Sequence, residues 1–311
     1  MKKTPVIIDC DTGHDDAIAL ILAFASEALD VKAVTVCAGN QTLEKTLRNT
    51  KKILSFIGKR PPVAAGAPGP MCRELQTAPS VHGESGLDGP ALPEPDFKEE
   101  PVPAVELLRK TILESPEPIT LIPTGPLTNI GFLFSVYPEV KKNIKLISLM
   151  GGGIETGNWT SAAEFNIFVD PEAADIVFRS GIPIAMSGLD VTHKAMIMPD
   201  EMELLRTLGG KVPLLAAELM DFYFGYHKAQ GLDGSPLHDP CAVAYIIKPE
   251  LFVTKPFHIE IECHGKFTTG MTLADRRPWS DSAPNADVCL DIDRKGFIDL
   301  IVKACKSYAG K

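Results

Sequence analysis

The stretch Val6-Ile7-Ile8-Asp9-Cys10-Asp11-Thr12-Gly13-His14-Asp15-Asp16-Ala17-Ile18-Ala19-Leu20-Ile21-Leu22 decides how the chain folds. Three apolar, β-forming residues run into two acids set two apart. A glycine follows, then a second acidic pair, then an apolar run. The pattern predicts a strand, a tight turn and a helix. Asp9 and Asp11 would project to the same face of the strand. Asp15 and Asp16 would open the helix, where free backbone N–H groups and the positive end of the dipole favour anions. Four carboxylates in so short a connection repel one another unless something neutralises them. Asp11 or Asp15 could cap the turn and helix, but capping accounts for one such residue and not for four. A divalent cation accounts for all of them. An all-oxygen ligand set, without thiol or imidazole at ligand spacing, favours a hard ion, calcium or magnesium.

Downstream, strands and helices keep alternating. Val31 to Ala38, Val63 to Gly66, Ile119 to Pro123, Ile144 to Met150 and Ile184 to Gly188 read as strands. Most are continuous apolar runs, suited to a parallel sheet buried on both faces. Helices are expected over Thr42 to Ile57, Val102 to Leu113, Leu127 to Val136 and Pro171 to Arg179. Between Pro61 and Pro103 lie 10 of the 26 prolines, which predicts an extended loop inside the domain. After Gly188 the rhythm slackens. Helices are expected at Pro199 to Leu208, Leu214 to Lys228, Asp239 to Ile247 and Phe297 to Tyr308, and strands at Phe257 to Cys263, Thr268 to Leu273 and Val288 to Ile292. The expectation is an α/β fold, a doubly wound and mostly parallel sheet with helices on both faces, in one domain spanning residues 1–311.

Composition narrows the function. Apolar residues make up 45% of the 311, enough for a substantial core. A formal net charge of -9 argues against nucleic acid or an anionic membrane as partner. Seven dispersed cysteines without a C-x-x-C pair suit a reducing, cytoplasmic setting and not a disulfide framework or zinc site. No secretory signal or membrane span is expected, because Asp9 and Asp11 interrupt the first apolar run and Ala17 to Ala25 is too short.

Calcium takes six to eight oxygens, so the first loop needs help from elsewhere. His238-Asp239-Pro240 is the best distant supplier, although Asp followed by Pro is also ordinary helix-start chemistry. Both readings stand on the residues alone.

Asp9-Cys10-Asp11-Thr12-Gly13-His14-Asp15-Asp16-Ala17 resembles the D-x-D-x-G-x-D-D-A signature of the inosine–uridine-preferring nucleoside hydrolases. The likeness continues through His82-Gly83-Glu84, Thr124, Glu164-Phe165-Asn166 and His238-Asp239 to Pro284-Asn285-Ala286. It implies one calcium ion per subunit, which binds both ribose and the attacking water. Its expected ligands are Asp11, Asp16, Asp239 and the main-chain carbonyl of Thr124. Asp11 is expected as general base as well. The ribose would be lined by Asp15, Asn40, Met150, Asn158, Glu164 and Asn166. Asn158 and Glu164 would reach the 5′ side, and Asn166 with Asp15 the 2′ and 3′ hydroxyls. His82 and His238 would lie beside the base, to protonate or orient the leaving nitrogen.

The implied reaction is cleavage of the N-glycosidic bond of a ribonucleoside through an oxocarbenium-like transition state. The histidine pair resembles pyrimidine-leaning members, with purine or modified bases left open. Tyr226 and Gln230 receive no role, because aromatic hydroxyls in relatives are placed differently. Relatives assemble as homotetramers or dimers, so a homo-oligomer is expected. Two rivals remain. One is a haloacid-dehalogenase-like phosphatase, with Asp9 as nucleophile and magnesium as metal. The other is a calcium-dependent nucleoside-binding protein without turnover.

Overall fold

A computed structural model describes residues 2–309; of the expected 1–311 unit, residues 1, 310 and 311 lie outside the described residues. The first half alternates as the apolar runs require: β1 Thr4–Cys10, α1 His14–Ala25, β2 Leu29–Val36, α2 Leu43–Phe56, β3 Val63–Ala65, α3 Pro79–His82, α4 Ala104–Glu114, β4 Ile119–Pro123, α5 Thr128–Val136 and β5 Ile144–Met150. Then follow α6 Phe165–Val169, α7 Pro171–Phe178, β6 Ile184–Ser187, α8 Leu189–Thr192, β7 Met196–Ile197, α9 Pro199–Thr207, α10 Lys211–Ala229, β8 Ser235–Pro236 and α11 His238–Ile247. The chain closes with β9 Phe252–Ile261, β10 Thr272–Asp275, β11 Ala286–Ile292 and α12 Arg294–Lys306.

Nine strands form one sheet in the order β10-β9-β11-β6-β5-β4-β1-β2-β3. From β11 to β3 every pairing is parallel, whereas β9 pairs antiparallel with both β11 and β10. Both faces are covered. Val6, Ile8 and Cys10 of β1 join the core that α1, α10, α11 and α12 complete. Ile7, between them, joins the opposite core under α4, α5 and α7. Each such Val or Ile contributes about 1.5–3 kcal/mol on burial, and the alternation locks the register of β1. No helix among the described residues is long and apolar enough to cross a membrane.

The strand order reverses between β1 and β4, which places a crevice beyond their carboxyl ends. The connection after β1 begins at Asp11 and the one after β4 at Thr124, so this crevice receives residues far apart in sequence.

Some boundaries differ from expectation. β9 starts at Phe252 and not at Phe257. Pro256 reads as a break in the sequence, yet β10 pairs only with His258–Ile261. Pro256 therefore has a neighbour on one side alone, and its missing N–H disrupts nothing there. β10 is correspondingly later and shorter than Thr268 to Leu273. The proline-rich stretch is irregular apart from β3 and the single-turn α3, which delivers His82.

Candidate functional site

Asp15, Asp16 and Asp239 bring carboxylate oxygens within 4.8 Å of one another, all three residues buried. Asp15 and Asp16 stand in the first turn of α1, and Asp239 in the first turn of α11. Asp239 does not cap its helix: Leu237 occupies the cap position and no side chain caps it. The two readings of His238-Asp239 thus separate, and the Asp239 carboxylate goes to the acidic cluster. Asp16 fills its remaining positions locally. Its Oδ2 accepts from the Gly13 N–H at 2.9 Å and from Asn40 Nδ2 at 3.3 Å, and its Oδ1 accepts from the Thr124 hydroxyl at 2.8 Å.

Asp11 lies beside this cluster. Its Oδ2 accepts from the Asn40 main-chain N–H at 2.7 Å, while Oδ1 is buried with no hydrogen-bond partner. A buried, orphaned carboxylate oxygen next to three close carboxylates is costly unless positive charge arrives. The donors are all oxygen, and they converge from the connections after β1 and β4 and from the first turns of α1 and α11. They fit a hard divalent cation.

Electrostatics agree with that fit. Burial, then Asp16, raises the pKa of Asp11 well above the carboxylate range. Burial and the charges of Asp15, Asp16 and Asp11 do the same for Asp239. Asp15 is pushed up to about 7 by burial and by Asp16. A folded pKa raised from 3.8 to about 7 means that native protein holds protons the unfolded chain has lost. Stability contributed in this way falls as pH rises. Below about 6.5 the buried histidines oppose the effect, because His14 and His227 are lowered to about 4 by burial. Between pH 6.5 and 8 the acids act alone. Chelator-treated protein is therefore expected to melt at progressively lower temperature across that interval, and excess calcium is expected to flatten the trend. Thermal denaturation with and without chelator checks both; a rise in Tm with pH in chelator would contradict the acidic cost.

A cavity of about 440 Å³ opens from the cluster. Asp15, Asn40, Thr124, Met150, Asn158, Glu164, Asn166, His82, His238 and Asp239 all line it. Asp11 and Asp16 are not among the lining residues and sit behind them. On one wall Asn166 Nδ2 donates to the Thr124 carbonyl at 2.8 Å, with Met150 O and Sδ each at 3.3 Å. Glu164 is the N-cap of α6, accepting from the Asn166 and Ile167 N–H groups, and it also accepts from the Gly152 N–H. Burial pushes its carboxyl up to about 7. Asn158 Oδ1 accepts from the Phe165 N–H at 2.9 Å. This wall is a short helix start whose polar side chains hold one another in place.

Another part of the cavity lining is built of rings. His82, Tyr223, His227 and His238 succeed one another, with His193 edge-on to His238. His238 Nδ1 lies 2.8 Å from the Thr192 hydroxyl. Burial lowers the pKa of both His82 and His238 well below the ordinary value.

The structure corrects one expectation and adds several residues. Asp9 does not share a site with Asp11. It faces the same side of the sheet as Ile7, where Oδ1 accepts from Thr35 and from Asn129 at 2.8 Å. β1 ends at Cys10, so the chain turns before Asp11 can repeat that direction. Asp9 is 2% exposed and does not line the cavity, which deprives the phosphatase reading of its nucleophile. The Asn285 side chain accepts from the Ile259 N–H and donates to the main-chain carbonyls of Ile259 and Phe178, and so serves the β9 region. Tyr223, Tyr226, His227 and Gln230 all line the cavity. Their spacing on α10 places them on one helical face, a signal already legible in the sequence.

Comparison with known proteins adds an independent line. The family model described as inosine-uridine preferring nucleoside hydrolase matches residues 6–299. The chain is 54% identical to the pyrimidine-specific ribonucleoside hydrolase RihA of Citrobacter koseri, over 98% of this chain and 99% of the relative. It is 54% identical to the RihA of Salmonella typhi over similar shares, 98% and 99%. Among solved structures, a purine-preferring ribonucleoside hydrolase from Gardnerella vaginalis superposes with a TM-score of 0.91 at 31% identity, covering 97% of this chain and 98% of the other. A plant nucleoside hydrolase superposes with a TM-score of 0.90, also at 31% identity, over 98% and 99%.

Proposed function

Because the chain belongs to the inosine–uridine preferring nucleoside hydrolase family, and is therefore an N-glycosyl hydrolase, we propose that it hydrolyses ribonucleosides to free base and ribose, with uridine and cytidine favoured. The observation that carries this reading is the division of one cavity. Buried carboxylates and a polar wall built on Asn166 and Glu164 line part of it, and histidine and tyrosine rings line another part. A ribose fits the polar part and a flat base the ring-lined part. The pyrimidine preference draws support from the relatives named above.

One calcium ion per subunit would be held by Asp11, Asp16, Asp239 and the Thr124 carbonyl. That carbonyl already accepts from Asn166, and its second lone pair serves a cation. When bound, calcium supplies positive charge that neutralises the acids and makes a neighbouring water more acidic. Asp11 takes the proton of the attacking water through its free Oδ1. Asp15 and Asn166 hold the 2′ and 3′ hydroxyls, with Asn40 and Met150 beside them. Asn158 and Glu164 face the 5′ side. Surplus negative charge around the sugar favours the cationic transition state. His238, oriented by Thr192, assists the departing base. The enzyme acts as one domain, in the cytoplasm, as a homo-oligomer, a tetramer before a dimer; its free cysteines suit that compartment.

A panel of free nucleosides with calcium, scored for reducing sugar, tests the reading. Ribose release from uridine and cytidine above inosine is expected. Faster release from inosine would overturn the base preference, and intact uridine after long incubation would favour a binding protein. Asn166→Ala should raise KM for uridine about 10-fold, the cost of leaving a buried hydroxyl contact unmade. An equal rise for 2′-deoxyuridine would remove the assigned contact.

A further inference from the structure

Asp190 stands in the first turn of α8, half-buried, and does not line the cavity. It does not cap its own helix. Gly188 holds the cap position, and the Leu189 N–H donates to the Gly152 carbonyl at 2.8 Å. Both Asp190 oxygens go to another segment instead. Oδ2 accepts from the Ile154 N–H at 2.9 Å, and Oδ1 accepts from the Glu155 N–H at 3.1 Å. A carboxylate bonded to two backbone N–H groups holds them more firmly than a neutral acceptor does.

Ile154 and Glu155 belong to the irregular stretch between β5 and α6, which carries Asn158 and Trp159 to the cavity. At its start the Gly152 N–H donates to Glu164 at 2.9 Å. Near its close the Asn158, Trp159 and Thr160 N–H groups share the Ala163 carbonyl, at 3.2, 3.1 and 3.3 Å. Between these anchors Asp190 takes its two N–H groups, and the exposed Arg276 donates to the Ile154 carbonyl at 2.6 Å. Asn158 spends its Oδ1 on the Phe165 N–H, and its Nδ2 has no hydrogen-bond partner among the described residues. Thr192, two residues after Asp190, is fully buried, and its hydroxyl lies 2.8 Å from His238 Nδ1. One four-residue helix thus reaches the polar wall through one side chain and the leaving-group histidine through another.

We propose that Asp190 is a positioning residue that ties the stretch bearing Asn158 to α8 and so sets the grip on the ribose 5′-hydroxyl, separately from the hold that Thr192 has on His238. This inference rests on the nucleoside hydrolase reading, in which Asn158 faces the 5′ side.

Uridine, 5′-deoxyuridine and p-nitrophenyl riboside tell the two holds apart. Asp190→Ala should lower kcat/KM for uridine about 10-fold, the worth of a well-placed hydrogen bond, and for 5′-deoxyuridine by less than about 2-fold. p-Nitrophenyl riboside keeps its 5′-hydroxyl and should lose as much as uridine. Asp190→Asn retains one acceptor oxygen and should fall between wild type and Asp190→Ala. Thr192→Val, on the same helix, should leave the ratio of uridine to 5′-deoxyuridine as in wild type and slow uridine more than p-nitrophenyl riboside. Equal losses on uridine and 5′-deoxyuridine in Asp190→Ala, or one pattern shared by both helix variants, would show a helix that merely supports the fold, and overturn the proposal. Should Asp190→Ala fail to fold, Asp190→Asn carries the same comparison with a loss of about 3-fold on uridine alone. If wild type leaves all three compounds intact, the hydrolase reading has failed. Calorimetric affinities of wild type and Asp190→Asn for uridine and 5′-deoxyuridine, with calcium present, then decide: weaker binding of uridine alone sustains the role of Asp190, and equal changes or no binding of either overturn it.

Discussion

An Asp11→Asn enzyme is expected to lose on the order of 10³-fold in kcat on uridine while keeping its fold. The substitution preserves the shape of the side chain and the acceptor for the Asn40 N–H, which lies 2.7 Å from Oδ2. It removes the base, and general-base catalysis contributes roughly 10²–10⁴-fold. It also removes one charge from a buried cluster that repels itself, so chelator-treated variant should melt no lower than chelator-treated wild type. Calcium should raise the Tm of the variant less than that of wild type, because a negative ligand has become neutral. Steady-state kinetics and paired thermal denaturation check the three statements together. Full activity with an undiminished calcium shift would move the base and the metal site away from Asp11.

The second large effect involves no charged residue. Gly39→Ala is expected to lower kcat/KM by about 10²-fold or more, with a destabilisation of about 1–3 kcal/mol. A Cβ at position 39 would stand 2.2 Å from Asp11 Oδ2 and 2.7 Å from Pro126. The carboxylate has little room to retreat, because Gly125 packs against its other oxygen so closely that a Cβ there would stand 2.4 Å away. Two glycines thus clamp Asp11 from opposite sides, and a displacement near 1 Å is enough for a loss of this size. Measuring kcat/KM and urea unfolding separates misplacement from unfolding: activity should fall far more than stability. A variant as active as wild type would show that the Asp11 position tolerates movement.

What was legible in the sequence follows a physical divide. Val6 to Leu22 announces strand, turn and helix because the period of its apolar residues changes within a few positions. The parallel sheet is legible because strands buried on both faces are apolar throughout, as in Ile119–Pro123 and Ile144–Met150. Asp15 and Asp16 meet through local geometry alone. Asp239 was legible only as an alternative, since its neighbours Pro240 and His238 serve a helix start equally well. What decides it is α11 packing against α1, a tertiary contact. Asp9 misled because residues two apart share a face only while the strand lasts. His14 went unassigned because a single aromatic residue on a helix is ordinary core; the i, i+4 spacing of Tyr223 and His227 was legible and was passed over, and the meeting of α1, α3 and α10 makes the three neighbours. The two-residue strands β7 and β8 carry too little periodicity to be seen in advance.

The order in which the acids occur along the polypeptide has a consequence for biogenesis. Two of the clustered aspartates leave the ribosome together, and the third emerges only after most of the sheet has been synthesised. Until then a nascent chain offers any passing ion an incomplete and exposed set of oxygens, with no sugar wall finished. Closing so long a loop is slow compared with forming the early β–α units. Competence to cleave should therefore arise in one late step, and a chain ending short of Asp239 should be inert while already holding the opening strand, turn and helix.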